Sequence, residues 1–161
     1  MKKLTILLLF LITTFTYGKS SDRLSMNLLS LMTLGDLNIA YENKFEKQTS
    51  WVITYHIGPS MDVFFDQSGT MMRFSYGYRF YRPISRDRHQ FIETKLGAIS
   101  DFENVGKLQT RNTYLLFELY IGEQVNFNSD VFYEYKIGLM RNLSSESQFN
   151  PGLGANLGFY L

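Results

Sequence analysis

Apolar and polar residues alternate along most of the chain with a period of two, the periodicity of strands rather than helices. The stretch 72–80 is the clearest case. Met72, Phe74, Tyr76, Tyr78 and Phe80 fall on one face, and Arg73, Ser75, Gly77 and Arg79 on the other. A helix would scatter both sets around its circumference; a strand sends successive side chains to opposite sides. The separation recurs in 37–45, where Leu37, Ile39, Tyr41 and Phe45 oppose Asn38, Ala40, Glu42 and Lys44. It recurs again in 51–58, 91–100, 113–122, 131–140 and 153–161. A segment at 23–32 is less regular. Leu24, Met26 and Leu28 suggest one face, but Leu28 and Leu29 break the phase, and a bulge is expected there.

Turn-forming residues separate these segments at 34–36, 46–49, 62–69, 82–89, 101–112, 123–130 and 144–151. The chain thus predicts eight strands of about ten residues, the length that crosses a bilayer when tilted in a barrel. An even number puts both ends of the sheet on one side. The predicted fold is all-β: an eight-stranded antiparallel up-and-down transmembrane β-barrel.

Residues 1–18 break the pattern. Lys2 and Lys3 precede an apolar run from Leu4 to Phe15, and small Thr16 and Gly18 stand at −3 and −1 of a cleavage site before Lys19. This is the pattern of a secretory signal peptide, and the run is too short for a spanning helix of ~20 residues. The barrel is expected to occupy 19–161. Composition agrees. Hydrophobic residues are 45% and aromatics 16%, too apolar for a disordered chain. There is no cysteine, which excludes a disulfide scaffold, a lipidated N-terminus and thiol chemistry. The 16 basic and 15 acidic residues nearly cancel, which is not the footprint of a nucleic-acid binder.

Alternation alone does not say which face meets lipid. A soluble lipocalin-like ligand-binding barrel would turn its apolar face inward. Here no charged residue interrupts the middle of an apolar face, as a lipid surface requires, since a midplane Arg or Lys costs ~2–4 kcal/mol. The charged face is balanced: Lys44, Arg73, Arg79, Lys95 and Lys136 can face Glu42, Glu93, Glu118 and Glu134. An eight-stranded barrel has an interior just wide enough for side chains to fill, and charges buried there must pair. Of these, Arg73, Arg79, Glu93, Lys95, Glu118, Glu134 and Lys136 are the expected lumen charge network. Tyr and Trp crowd the apolar faces, as in aromatic girdles.

On this pattern the chain resembles the small eight-stranded outer-membrane barrels of Gram-negative bacteria, the OmpA-barrel, OmpX and OmpW-like group and related porin-like proteins. Such barrels end in a recognition signal for the assembly machinery. Here Gly154, Leu157 and Phe159 match its glycine, apolar and aromatic positions, while Gly152 replaces a polar residue and Tyr160 and Leu161 follow the aromatic. The resemblance implies an outer-membrane location, termini and short turns in the periplasm, longer outer loops, and contact with outer-membrane lipids and lipopolysaccharide. It names no surface partner, and the fold alone implies no activity. With a last strand reaching Leu161, no periplasmic peptidoglycan-binding domain is expected to follow.

Chemistry-bearing residues are few. His56 and His89 are the two histidines. Ser60, His56 and Asp62 contain the residue types of a triad, but the outer-membrane lipid A deacylase spacing is missing, so no enzyme is expected. Two distant histidines give no transition-metal site, and no cofactor is implied. Asp62 with Asp66, and Asp101 with Glu103, are carboxylate pairs in outer loops, able to hold a divalent ion with lipopolysaccharide phosphates but more often simply solvated. Arg82, Arg86 and Arg88 form the densest basic stretch, read as a solvated turn beside Asp87 or as a contact for phospholipid headgroups. Val63, Phe64 and Phe65 form an apolar loop cluster. The function expected is a non-enzymatic barrel with a plugged lumen, serving membrane integrity or surface interaction. The alternatives are a narrow channel for small solutes or hydrophobic molecules and the soluble ligand-binding barrel.

Overall fold

The computed structural model describes residues 22–60, 69–105, 108–143 and 149–161. The leader at 1–18 and the cluster at 63–65 lie outside these residues. Eight antiparallel strands close into a barrel in sequence order: β1 (Asp22–Asn27), β2 (Leu37–Lys44), β3 (Thr49–Ser60), β4 (Gly69–Pro83), β5 (Arg88–Val105), β6 (Leu108–Asn126), β7 (Val131–Asn142) and β8 (Asn150–Tyr160). Each strand pairs with its neighbours in sequence, and β1 closes the cylinder against β8 from Arg23↔Tyr160 to Asn27↔Asn156. Both termini lie at one end of the barrel. The tight turns at 45–48, 84–87 and 127–130 share that end, held by bonds such as Ile84 N–H to the Arg88 carbonyl at 2.9 Å.

The period-two faces come out as the alternation predicts. Phe74, Tyr76, Tyr78 and Phe80 are exposed on the outside of β4, while Ser75, Gly77 and Arg79 between them are buried inside. Leu96, Leu115, Ile121, Ile137 and Leu153 continue the outer belt. Along β4 the belt from Met72 to Phe80 rises ~27 Å along the strand and ~20 Å along the barrel axis at a ~40° tilt. Aromatic rings collect on its lower half, nearest the termini. Trp51 lies 5.4 Å from Tyr41 and 6.4 Å from Tyr76, and Phe45 lies 6.5 Å from Tyr78.

Two stretches depart from the sequence reading. The segment 23–32 is not one bulged strand: β1 stops at Asn27, and Leu28–Leu34 forms a short helix, α1. The local cause is capping. The Asn27 side chain accepts the Ser30 N–H at the N-terminus, and Gly35 takes a left-handed φ of 69° at the C-terminus. The apolar run 28–34 is thus diverted from the sheet and packs beside β8 and β2. Secondly, the predicted separator 101–112 is mostly strand. β5 runs to Val105 and β6 begins at Leu108, with Asp101 opposite Asn112 in the ladder. The turn residues there sit beyond the apolar belt, where a hairpin needs no apolar face.

These lengths tilt the rim away from the termini. β6 above Leu116 extends past the last β7 register pair, Leu116↔Asn142, so the β5–β6 hairpin projects beyond β7 and β8. β1 and β2 form the low side.

Candidate functional site

The site is the lumen. Arg79 is its hub, carried inward on β4 by the phase that sends Phe80 outward. Its guanidinium is 2% exposed and engages three carboxylates. Nε donates to Glu93 at 2.9 Å, and Nη1 donates to Glu134 at 2.8 Å and to Glu42 at 3.0 Å. Nη2 also binds Glu93. The ring of Phe91 lies 4.2 Å below the guanidinium carbon. The register explains the principal pair: Arg79 sits directly opposite Glu93, both facing inward.

Glu93 collects two further cations, Lys136 and Lys95, each at 2.9 Å. Lys95 reaches on to Glu118 at 3.4 Å and to the Thr54 hydroxyl at 3.3 Å. The Ser75 hydroxyl donates to the other Glu118 oxygen. The lysines fit because glycines face them: Gly77 opposes Lys95, and Gly122 and Gly154 flank Lys136. Both ammoniums also lie against Tyr120, at 4.8 Å for Lys136 and 5.2 Å for Lys95. Tyr120 itself crosses the lumen over Gly138 and Gly152. A Cβ at Gly152 would come within 2.7 Å of its hydroxyl.

Toward the termini the network closes on Arg23. This guanidinium donates to Tyr81 at 2.7 Å and to Gln124 at 2.8 Å, and pairs with Glu42 at 3.4 Å. The Tyr81 hydroxyl donates to Glu42 at 2.8 Å. Asn156 donates to Glu134 at 2.6 Å. Gln124 donates to Tyr160 at 2.7 Å, which bridges on to Asn126. All eight strands thus contribute a side chain. Four cations (Arg23, Arg79, Lys95, Lys136) stand against four carboxylates (Glu42, Glu93, Glu118, Glu134), and the cluster is neutral.

Six of the seven residues expected in the network are brought together. Arg73 is not paired as expected. It faces the lumen above the cluster, where Nη1 meets the Met140 sulfur at 3.1 Å, and it has no ion pair among the described residues. The residues missed were Arg23, Tyr81, Gln124 and Asn156. The inward phase of β2 placed Glu42 on the right face. Arg23 was obscured by the irregular first segment, Tyr81 fell just past the segment 72–80, and Gln124 lay in a presumed turn.

Beside Arg73, its register partner on β4, His56 brings Nε2 to 3.5 Å from Asp36 Oδ2, both side chains buried. Asp36 follows the Gly35 cap and folds inward against Gly58. Burial pushes its carboxyl above the usual carboxylate range, opposed by the nearby Arg73 charge. His56 is therefore set beside Asp36; Asp62 lies outside the described residues, as does the side chain of Ser60. The carboxylate pairs cannot be placed as ligands either: Asp62 and Asp66, and the side chains of Asp101 and Glu103, are outside the described residues. No group of three metal-ligating side chains occurs among the described residues. Of the assembly-signal residues, Gly154 is buried inward while Leu157 and Phe159 face outward opposite Met26 and Leu24 of β1.

No family model matches the chain, and no curated protein matches it in sequence. Solved structures do. Neisserial surface protein A superposes with a TM-score of 0.65 at 7% identity, over 87% of this chain and 94% of that one. The N-terminal β-barrel domain of Pseudomonas aeruginosa OprF gives 0.64 at 11% identity, over 88% and 98%. Ail, the attachment invasion locus protein of Yersinia pestis, gives 0.57 at 9%, over 86% and 96%. The fold is that of the small eight-stranded outer-membrane barrels. At these identities the likeness is one of architecture, and what the barrel does must be read from its own side chains.

Proposed function

We propose that the chain is a non-enzymatic outer-membrane barrel whose lumen is plugged by paired charges, and that it serves membrane integrity or surface interaction. The observation that carries this reading is the inversion of the usual soluble pattern. Eight charged side chains neutralise one another inside, while a belt of large apolar side chains is exposed outside. In water such an outer surface would be an aggregation liability; in lipid it is the required one. The termini and the three tight turns lie in the periplasm on this reading, and the projecting β5–β6 hairpin lies outside the cell. Its height above the rim supports a role at the surface. Partners are then lipids and lipopolysaccharide around the belt, and the assembly machinery that reads Gly154, Leu157 and Phe159.

A plug of this kind blocks ion flow, because a solute would have to break buried ion pairs to pass. Conductance in a planar bilayer tests it. The parent protein is expected to stay silent, and Glu118→Ala, which frees Lys95 from one of its two carboxylates, to leak. Steady ion-selective openings of the parent would overturn the plug and favour a narrow channel. Recovery of the protein with soluble periplasmic contents, instead of outer membranes, would overturn the membrane reading itself.

A further inference from the structure

The outer face near the termini changes character in a single step. One row around the barrel reads Phe80, Ile92, Ile121 and Ile137, joined by direct register across β4 to β7. The next row toward the termini reads Arg82, Gln90, Glu123 and Tyr135, joined in the same way. Below Arg82 the β4–β5 turn adds Arg86, and Arg88 closes it. Arg88 is committed to Glu123 at 2.5 Å. Arg82 and Arg86 are exposed and have no ion pair among the described residues. Asp87 is the one acid of the turn. The other two turns at this end lack this character. One carries Glu46 with Lys47, and the other carries Asp130 alone.

We propose that this corner of the barrel holds an anionic phospholipid of the periplasmic leaflet. Arg82 and Arg86 take the headgroup phosphate, and the acyl chains lie on Phe80, Ile92 and Ile121. Guanidinium suits a phosphate because its planar fork donates two parallel bonds. The adjacent apolar row selects a ligand that is anionic at one end and aliphatic at the other. The turn is also presented stably: Ile84 and Ser85 N–H groups both bond to the Arg88 carbonyl. This inference rests on the membrane reading above.

The test uses the full barrel in vesicles of equal phosphatidylglycerol and phosphatidylethanolamine, extracted mildly and analysed for bound lipid by native mass spectrometry. Retention in the vesicles and a boiling-dependent gel shift first establish that the barrel is inserted and closed; their failure strikes the membrane reading, not this one. An inserted parent is expected to carry phosphatidylglycerol well above its share. Arg82→Gln with Arg86→Gln is expected to lower that enrichment strongly, at about fivefold per arginine near an anionic surface. Lys47→Gln, in the balanced turn, is expected to leave it unchanged. Should the double variant fail to insert, Arg86→Gln alone serves, since Arg86 lies in the turn outside the strands. An inserted parent that carries the two lipids in vesicle proportion would overturn the proposal. So would an inserted arginine variant that keeps full enrichment. Displacement of the lipid by inorganic phosphate, but not by chloride at equal ionic strength, would reassign the site to free phosphate and overturn the lipid assignment.

Discussion

Removing Arg79 tests whether the lumen is a dry plug or a wet channel. Arg79→Met takes one cation from a cluster of four against four and leaves Glu93, Glu134 and Glu42 without their shared donor. Breaking one buried pair costs ~3–5 kcal/mol, whereas an exposed pair is worth ~0–1 kcal/mol. Arg79 is 2% exposed and Glu93 is fully buried, so the first range applies. Three carboxylates depend on the one guanidinium, which places the cost at the upper end. Glu93→Gln is the mirror change: it takes the shared carboxylate from Arg79, Lys95 and Lys136, of which Arg79 keeps Glu134 and Glu42 and Lys95 keeps Glu118, again at ~3–5 kcal/mol. The double variant restores three charges of each sign. It is expected to cost at least ~2 kcal/mol less than the sum of the singles, the signature of direct coupling. Urea unfolding in lipid vesicles, followed by the fluorescence of Trp51, measures all four corners of the cycle. Trp51 sits on the outer face between Tyr41 and Tyr76, so its signal reports the whole barrel and not the altered lumen. Single changes that each cost under ~1 kcal/mol and simply add would mean screened, solvated charges, and the dry plug would be refuted.

Further expectations follow from other parts of the barrel. Leu96→Arg, at an outer position 61% exposed, is expected to cost ~2–4 kcal/mol if that surface meets lipid and within about 0.5 kcal/mol if it meets water, read by vesicle unfolding. The intact protein is expected to migrate differently before and after boiling in detergent gels, because a closed hydrogen-bonded cylinder resists unfolding; unchanged mobility would count against closure. Gly152→Ala is expected to destabilise by ~1–3 kcal/mol, since the added carbon falls 2.7 Å from the Tyr120 hydroxyl, and to recover in part when Tyr120 is shortened to Leu. Asn27→Ala removes the N-cap of α1 and is expected to cost ~0.5–2 kcal/mol in the same unfolding assay.

Most of the fold was legible because a transmembrane strand has a rigid grammar. At 72–80 every second residue must satisfy lipid and every other one the lumen, so periodicity alone assigns faces. The grammar lapses where that double demand lapses. At 28–34 an apolar run leaves the sheet because Asn27 and Gly35 offer helix caps, a local signal the alternation does not contain. At 101–112 the strands outrun the belt, so Asp101 and Asn112 look like turn residues while pairing in a ladder. The lumen network was legible in kind but not in wiring. Shared facing and near-equal numbers indicate that Arg79 and Glu93 are compatible, and their meeting follows from the register. Nothing in the sequence shows that Arg73 sits above the cluster against Met140, because height in the barrel depends on the stagger between strands.

The short β1 has a kinetic consequence. A cylinder differs from a curled sheet only by the ladder that joins its first strand to its last, and here that ladder holds five register pairs, against eighteen between β5 and β6. Unzipping would start at β1, whose ladders to β8 and to β2 hold five register pairs each. The side chains act against it. Arg23, the second residue of the seam strand, reaches across to Glu42, Tyr81 and Gln124 on β2, β4 and β6. Peeling β1 away therefore means dragging a guanidinium out of a dry, charge-balanced interior. The hoop is weak at that point but tied by a spoke, and the lifetime of the closed state is set by the withdrawal of one arginine.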